Sequence, residues 1–271
     1  MAVRLPAVAG QFYPDDPTEL ARDVDALLHA SNPAPCSGPL HGVIVPHAGY
    51  TYSGGVAGIA YGALRDSHQD IHTVLLVGPA HHVYLEGLGT SSAQIWRTPL
   101  GDVWLATDEA EQLINDFADV RPRDDAHEFE HSLEVQLPFL QRILAPGWQL
   151  LPLVVGHAST TSVSGVLGHF LCQSGVVVVV STDLSHYLPY EDAKLRDATT
   201  AGRIVECQAA EINDDDACGA YPLRGFLDAV VEAGCHIEQL AVASSGDSHG
   251  SHDRVVGYGA FAVCGGEPGG G

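Results

Sequence analysis

Four apolar runs of this chain each end in a segment that carries histidine or aspartate. The residues in these segments whose side chains are best suited to bind a metal or transfer protons are His47, His81, Asp183, His186 and Asp247. In an open α/β sheet the carboxyl ends of parallel strands border one crevice, so side chains that follow different strands can meet there. The sequence therefore predicts one polar cleft built from segments that are far apart along the chain.

Two imidazoles and one carboxylate from these segments could hold a divalent metal. His47, His81 and Asp247 match the two-histidine, one-carboxylate set of non-haem Fe(II) sites, which leaves positions open for substrate and oxygen. The same residue types also suit a zinc site that activates water for hydrolysis. Any one of these histidines alone is more often a structural residue than a ligand, so the prediction depends on their convergence.

Asp183 and His186 are predicted to move protons in the same cleft. They are three residues apart on one turn, where the carboxylate could orient the imidazole and His186 could act as acid or base. The alternative is that Asp183 or Ser185 caps the helix that follows.

Further polar residues are expected to line this cleft. Tyr50 closely follows His47, although its ring could equally pack against the Gly- and Ala-rich helix beyond it. His131 and Glu134 are three residues apart, so a helix would place both on one face, and a capping role for the acidic stretch before them is an equal alternative. The remaining candidates in the strand-end segments are His82, Ser245 and His249.

The elements that must position these residues alternate along the chain. Short Val-, Leu- and Ile-rich runs predict strands at residues 43–45, 73–77, 150–155, 176–181, 240–244 and 255–263. Longer amphipathic stretches predict helices at residues 17–28, 54–64, 108–117, 131–144, 161–171, 190–211 and 223–233. Strands that are apolar on both faces belong in a buried central sheet covered by helices on both sides. We expect a single α/β domain over residues 1–264 and a flexible glycine-rich tail over 265–271.

The charge of the chain excludes several kinds of partner. It has 12 Lys and Arg against 34 Asp and Glu, a formal net charge of −22, which repels nucleic acids and anionic membrane surfaces. No apolar signal segment follows the N-terminus, and the six scattered cysteines suggest neither a zinc knuckle nor a disulfide framework. We therefore expect a cytoplasmic protein with reduced thiols.

Seven short segments of the chain, taken in order, resemble motifs of the Memo family, which in bacteria and archaea is also called AmmeMemoRadiSam system protein B. The resemblance spans almost the whole chain and rests on segments at residues 3–13, 46–50, 78–82, 131–134, 181–186, 218–219 and 245–247. It implies a fold like that of the class III extradiol dioxygenases, with a metal pocket at the strand ends. It also implies a genomic association with a radical-SAM protein.

Carried over by position, the family resemblance places the two metal histidines on His47 and His81, and the pocket acid and histidine on Asp183 and His186. Animal Memo proteins have a cysteine where this chain is expected to have Asp247, and no cysteine of this chain is expected nearby. We therefore expect a non-haem Fe(II) oxidoreductase acting on a small molecule or peptide, with zinc or copper as alternative metals. The competing hypotheses are a non-catalytic protein that binds a peptide or partner in the same cleft, and a zinc hydrolase.

Overall fold

Four buried parallel strands form the centre of the protein. The computed structural model describes residues 1–31, 33, 36–67, 70–249 and 251–265. Its strands are β1 (Val3–Arg4), β2 (Leu40–Val45), β3 (Thr73–Pro79), β4 (Leu88–Thr90), β5 (Ile95–Thr98), β6 (Gly101–Trp104), β7 (Val120–Pro122), β8 (Gln149–Val155), β9 (Val176–Ser181), β10 (His186–Leu188), β11 (His236–Ser244) and β12 (Val255–Cys264). Each of the six predicted strands falls within one of these, namely β2, β3, β8, β9, β11 or β12.

Helices alternate with the strands over most of the chain. They are α1 (Pro17–Ala30), α2 (Tyr50–Asp66), α3 (Thr107–Asp116), α4 (Asp124–Glu128), α5 (Leu137–Ile143), α6 (Thr160–Phe170), α7 (Tyr190–Val205), α8 (Ala220–Glu232) and α9 (Ser245–Ser248), with 3₁₀ turns at Glu134–Gln136 and Ala209–Glu211. Within the described ranges, no helix combines the length and apolar character needed to cross a membrane.

The large sheet runs in the order β10-β12-β2-β9-β3-β8-β4-β7, and β11 pairs with β12 outside this path. Its central strands β2, β9, β3 and β8 are parallel. The segments that follow β2, β3 and β9 therefore leave the sheet at the same edge, as the sequence predicts. β1, β5 and β6 form a separate three-stranded sheet.

Successive residues of the central strands point into two apolar cores, one on each face of the sheet. In β3, Val74 and Leu76 belong to one core, while Leu75 and Val77 belong to the other. Helices α1, α2 and α5 contribute to the first core, and α3, α6 and α8 contribute to the second. This arrangement confirms the predicted α/β class, because only a sheet covered on both faces buries both sets of side chains.

Two predicted helices are shorter in the structure. The helix predicted over 131–144 is a 3₁₀ turn followed by α5, and Pro138 lies in the first turn of α5, where a proline is tolerated. His131 consequently lies in the non-helical segment before the turn. The helix predicted over 190–211 ends at Val205, and Cys207 then adopts a left-handed backbone with φ of 52°.

The structure corrects the expectation that all six cysteines are free. Cys36 and Cys264 form a disulfide across 228 residues, with their Cα atoms 6.0 Å apart. The spacing of cysteines in the sequence could not reveal this pair, because it depends on β12 lying beside β2. Cys172, Cys207, Cys218 and Cys235 are free thiols. Of the predicted tail, residues 266–271 lie outside the described residues.

Candidate metal centre

Three histidines converge at the carboxyl edge of the parallel strands. One ligand nitrogen from each of His47, His81 and His131 lies within 4.8 Å of the others. His47 follows β2, His81 follows β3, and His131 comes from the segment that precedes the 3₁₀ turn at Glu134–Gln136. The ring centres of His47 and His81 are 5.2 Å apart, and those of His81 and His131 are 4.9 Å apart. Imidazole nitrogens at this spacing can bind one divalent cation.

The hydrogen bonds of Ser181 determine which ring nitrogen of His47 carries the proton. The Ser181 hydroxyl donates to the Ser132 carbonyl at 2.6 Å, which uses its single proton. It can therefore only accept from the Gln136 amide and from His47 Nδ1, each at 2.9 Å. His47 thus keeps a lone pair on Nε2, the form in which an imidazole binds a metal. Burial lowers the pKa of His47 well below its ordinary value, and the neighbouring imidazoles lower it further.

Glu130 holds His81 in the same way. Glu130 Oε1 lies 2.9 Å from His81 Nδ1, and Glu130 Oε2 accepts the backbone N–H of His81 at 2.6 Å. Burial lowers the pKa of His81, but hydrogen bonds to Cys218 and Glu130 outweigh burial and raise it to about 10. The raised pKa means that the ring carries a proton on each nitrogen. Because Glu130 engages Nδ1, a cation would bind at Nε2 and replace the proton there. Carboxylates that hold the outer nitrogen of a ligand histidine are a common feature of metal sites.

His131 is neutral at the same site. Burial lowers its pKa to about 4, and the nearby carboxylate of Glu130 only partly opposes this effect. Its Nδ1 lies 3.4 Å from Glu130 Oε1, and its ring packs against Phe12 with ring centres 4.9 Å apart. His131 was expected to line the cleft, and the structure gives it a position from which it can also serve as a ligand.

A thiol lies beside the histidines, which corrects the expectation that no cysteine is near. Cys218 Sγ is 3.2 Å from His47 Nε2. Cys218 comes from the loop before α8, a segment that the resemblance included but that follows no predicted strand. Glu130 was also missed, although it directly precedes His131 in the sequence.

Asp247 does not join this group of ligand atoms. Its carboxylate accepts the backbone N–H of Ser244 at 2.7 Å and the Ser244 hydroxyl at 2.9 Å, and together they form a capping box at the start of α9. It also accepts a hydrogen bond from the Tyr190 hydroxyl. The side chain is exposed, and its oxygens are already used by local donors. In the structure, His131 stands with His47 and His81 where the sequence predicted Asp247.

Asp183 and His186 both line the cleft, but the carboxylate does not hold the imidazole by the hydrogen bond that the sequence predicted. Asp183 Oδ1 accepts the backbone N–H of His47 at 2.7 Å, and burial raises the Asp183 pKa to about 7. His186 Nδ1 lies 2.8 Å from the Leu184 carbonyl and must donate to it. A backbone carbonyl therefore orients His186, and its Nε2 remains an acceptor. Burial lowers the pKa of His186 from its ordinary value.

A cavity of about 840 Å³ opens over the site. Its lining residues are Phe12, His47, His81, His131, Asp183, His186, Tyr187, Leu188, Arg196, Asp214, Asp215 and Cys218. Tyr187 has a left-handed backbone with φ of 59°, a conformation that is uncommon outside glycine and that concentrates at functional sites.

Among the described residues, the other predicted cleft residues do not line this cavity. Tyr50 is buried and donates to the Val135 carbonyl at 2.6 Å, which matches the packing alternative. Glu134 is fully buried and pairs with Arg4 at 2.7 Å. The Ser245 hydroxyl accepts from the Val256 N–H, and His249 is exposed beyond α9.

His82 has an intermediate position at the rim. It is exposed, and its ring centre lies 6.0 Å from that of His131.

The fold and the site together define an α/β protein with a histidine cluster at the carboxyl ends of its parallel strands. The family model described as Memo-like protein matches residues 4–262. The chain is 34% identical to a MEMO1 family protein of Methanopyrus kandleri over 280 residues, which cover 95% of this chain and 98% of that protein. It is also 34% identical to one from Aeropyrum pernix, covering 97% and 100%, and 33% identical to one from Aquifex aeolicus, covering 95% and 98%. The chain therefore belongs to the Memo family.

Proposed function

We propose that this Memo-family chain is a metal-dependent oxidoreductase that binds Fe(II) through His47, His81 and His131. The observation that carries the proposal is the set of three ligand nitrogens within 4.8 Å of one another beneath an open cavity. Imidazole suits iron, copper and zinc alike. When bound, such a metal would polarise a substrate and hold it in a fixed orientation.

The donor set fits a metal because its ring nitrogens are prepared for one. The protons on His47 Nδ1 and His81 Nδ1 are held by Ser181 and Glu130, so their Nε2 atoms are directed to the shared site. The carboxylates nearby are engaged in hydrogen bonds to backbone and imidazole groups. We therefore propose a three-histidine set rather than the two-histidine, one-carboxylate set.

Around the metal, the residues of this chain would bind the substrate and transfer protons. His186 Nε2 is a neutral acceptor fixed by the Leu184 carbonyl, so it can take a proton from a substrate in the cavity. Asp183 has a pKa of about 7 and can hold or release a proton close to neutral pH. Phe12 and Leu188 contribute apolar surface to the cavity lining, which favours a substrate with an apolar portion.

A zinc hydrolase is the second candidate, and the observation in its favour is the three-histidine ligand set. Three histidines that leave a fourth position open form one of the catalytic zinc sets that activate water. Fe(II) and zinc would use the same residues, so activity assays must separate the two.

The experiment loads metal-stripped protein anaerobically with Fe(II) or with Zn²⁺. Oxygen uptake is then measured with a panel of catechols, and hydrolysis is measured with a panel of esters and amides. We expect substrate-dependent oxygen uptake by the Fe(II)-loaded protein and none by the Zn²⁺-loaded protein. The His47→Ala variant should lose both this oxygen uptake and the binding of stoichiometric iron. His157→Ala is the matched control, because His157 follows the neighbouring parallel strand β8 but lies outside the cluster.

Two results would contradict the proposal. Hydrolysis with zinc and no oxygen uptake with iron would support the hydrolase. Metal binding or peptide binding without any turnover would support a binding protein on the same fold.

We also propose that the chain acts in the cytoplasm, because four of its six cysteines are free thiols. Alkylation of thiols at the moment of cell lysis tests this location. It should recover Cys172, Cys207, Cys218 and Cys235 as alkylated thiols, and finding any of these four in a disulfide would argue for an oxidising compartment.

A further inference from the structure

A second group of soft metal ligands lies at the opposite end of the sheet. One ligand atom from each of His41, Cys172 and Cys235 lies within 4.8 Å of the others. The two sulfurs, Cys172 Sγ and Cys235 Sγ, are 3.4 Å apart. His41 lies near the amino end of β2, whereas His47 follows its carboxyl end, so the two groups are on the order of 20 Å apart at the rise of an extended chain.

Local backbone irregularities bring these three residues together. The pairing of β2 with β12 matches Val263 with Gly42 and Cys264 with Leu40, so His41 is the extra residue of a β-bulge. Bulges redirect side chains out of the regular alternation of a strand. Cys172 follows α6 with a left-handed backbone of φ 67°, and Cys235 follows the turn that ends α8.

The ring of His41 has an unsatisfied nitrogen at this place. His41 Nε2 is buried and has no hydrogen-bond partner among the described residues. A buried polar atom without a partner costs free energy, and native structures rarely keep one without a reason. A cation bound between the two sulfurs and this nitrogen would supply the missing partner.

We propose that His41, Cys172 and Cys235 form a second metal site, which binds a thiophilic cation such as Zn²⁺ or Cu⁺. Two thiolates and one imidazole are the ligands that both ions prefer. The sulfur separation of 3.4 Å is close to the roughly 3.8 Å that two zinc–sulfur bonds of about 2.3 Å impose at a tetrahedral angle. The bound ion would tie the ends of α6 and α8 to the start of β2, which is a stabilising role distinct from the cavity at the other end.

The test uses the full chain carrying Cys218→Ser, so that no sulfur remains at the three-histidine site. The protein is reduced, stripped of metal and titrated with Co²⁺, a spectroscopic probe for zinc. We expect a thiolate-to-cobalt charge-transfer band with the final intensity of one thiolate-bound cobalt per chain, while cobalt at the three-histidine site adds no such band. Zn²⁺ and Cu⁺ are then added in separate arms, and the ion that displaces cobalt at the lower concentration is the preferred occupant.

Single substitutions in this background assign the band to its ligands. Cys172→Ser and Cys235→Ser should each remove the band, and His41→Gln should weaken cobalt binding at least tenfold. Cys207→Ser is the matched control, because Cys207 is also a half-buried free thiol with a left-handed backbone but lies outside the group. X-ray absorption of the zinc-loaded Cys218→Ser protein should show sulfur about 2.3 Å from zinc, without need of a variant in the new site.

Three outcomes would overturn the proposal. The first is the absence of any thiolate band in the reduced Cys218→Ser protein. The second is a band that survives Cys172→Ser but disappears in Cys36→Ser, since Cys36, Glu238 and Cys264 form another ligand group when their disulfide is open. The third is recovery of Cys172 and Cys235 as a disulfide from cells lysed in an alkylating agent.

Discussion

Replacement of Ser181 by alanine should weaken metal binding without touching a metal ligand. The Ser181 hydroxyl is fully buried and connects His47 Nδ1, the Gln136 amide and the Ser132 carbonyl. Without it, His47 can turn or place its proton on Nε2, which removes the lone pair that the site needs. Outer hydrogen-bond partners of ligand histidines are typically worth 10–100-fold in metal affinity, so we expect a loss of roughly that size.

The same substitution should also destabilise the fold. It leaves up to three buried polar groups without a partner, at about 1–3 kcal/mol for each one that stays unsatisfied. Gln136 keeps its bond to the Pro46 carbonyl at 2.9 Å, so we expect a total loss of about 2–4 kcal/mol. Urea unfolding of the metal-free protein measures this loss. Competition with a chromophoric chelator measures the affinity for Zn²⁺ in a Cys172→Ser background, where the proposed second site lacks one of its ligands.

Thr90→Val is the control for removing a buried hydroxyl. Thr90 Oγ1 is buried in β4 and has no hydrogen-bond partner among the described residues, so its loss should leave metal affinity unchanged. The reasoning is refuted if Ser181→Ala binds zinc as tightly as the unmodified chain while its stability falls. Ser181 would then support the fold without preparing His47 for a metal.

Three further predictions concern stability, pH and metal choice. Glu134→Gln should lower the free energy of unfolding by about 3–5 kcal/mol, because it leaves the buried Arg4 guanidinium without its counter-charge, and an unchanged urea midpoint would contradict this. Burial lowers the pKa of His127 to about 4, so below pH ~6.5 the unfolded chain takes up a proton that the folded chain refuses, and stability falls until the pH reaches about 4. His127→Gln should therefore reduce the slope of stability against pH in that window by up to about 1.4 kcal/mol per pH unit, and an identical slope would exclude this role. Cys218→Ser should weaken Cu⁺ binding at the three-histidine site more than Fe(II) binding, because a thiolate is the softer ligand. Chelator competition with each ion measures the two losses of affinity, and equal losses would contradict this prediction.

The fold could be predicted because its central strands carry a strong local signal. Runs such as Val176–Ser181 are apolar on both faces, and each ends next to a residue of the site. The parallel arrangement of β2, β9 and β3 then brings His47, His81 and Asp183 to one edge, which follows from chain direction alone.

The third histidine and the thiol could not be assigned in the same way. His131 and Cys218 lie in irregular segments that follow no strand, so their position depends on how the loops pack. Asp247 follows a strand as predicted, but β11 runs antiparallel to β12 at the outer part of the sheet, outside the path of parallel strands. Its residue type and its place after a strand could not reveal that its carboxylate caps α9.

The disulfide and the second ligand group depend on long-range pairing in the same way. Cys36 and Cys264 meet through the β2–β12 pair, and His41 reaches Cys172 and Cys235 through a bulge in that pair. Register shifts of this kind leave no mark in the hydrophobic pattern of a strand.

The most direct test of the metal centre is a crystal structure of the protein loaded with an excess of Zn²⁺, so that the three-histidine site and the proposed second site can both fill. We predict a zinc ion about 2.0–2.1 Å from His47 Nε2, His81 Nε2 and a ring nitrogen of His131. An ion bound by the carboxylate of Asp247, or an ion at His47 and His81 that leaves His131 without a bond, would contradict the three-histidine site.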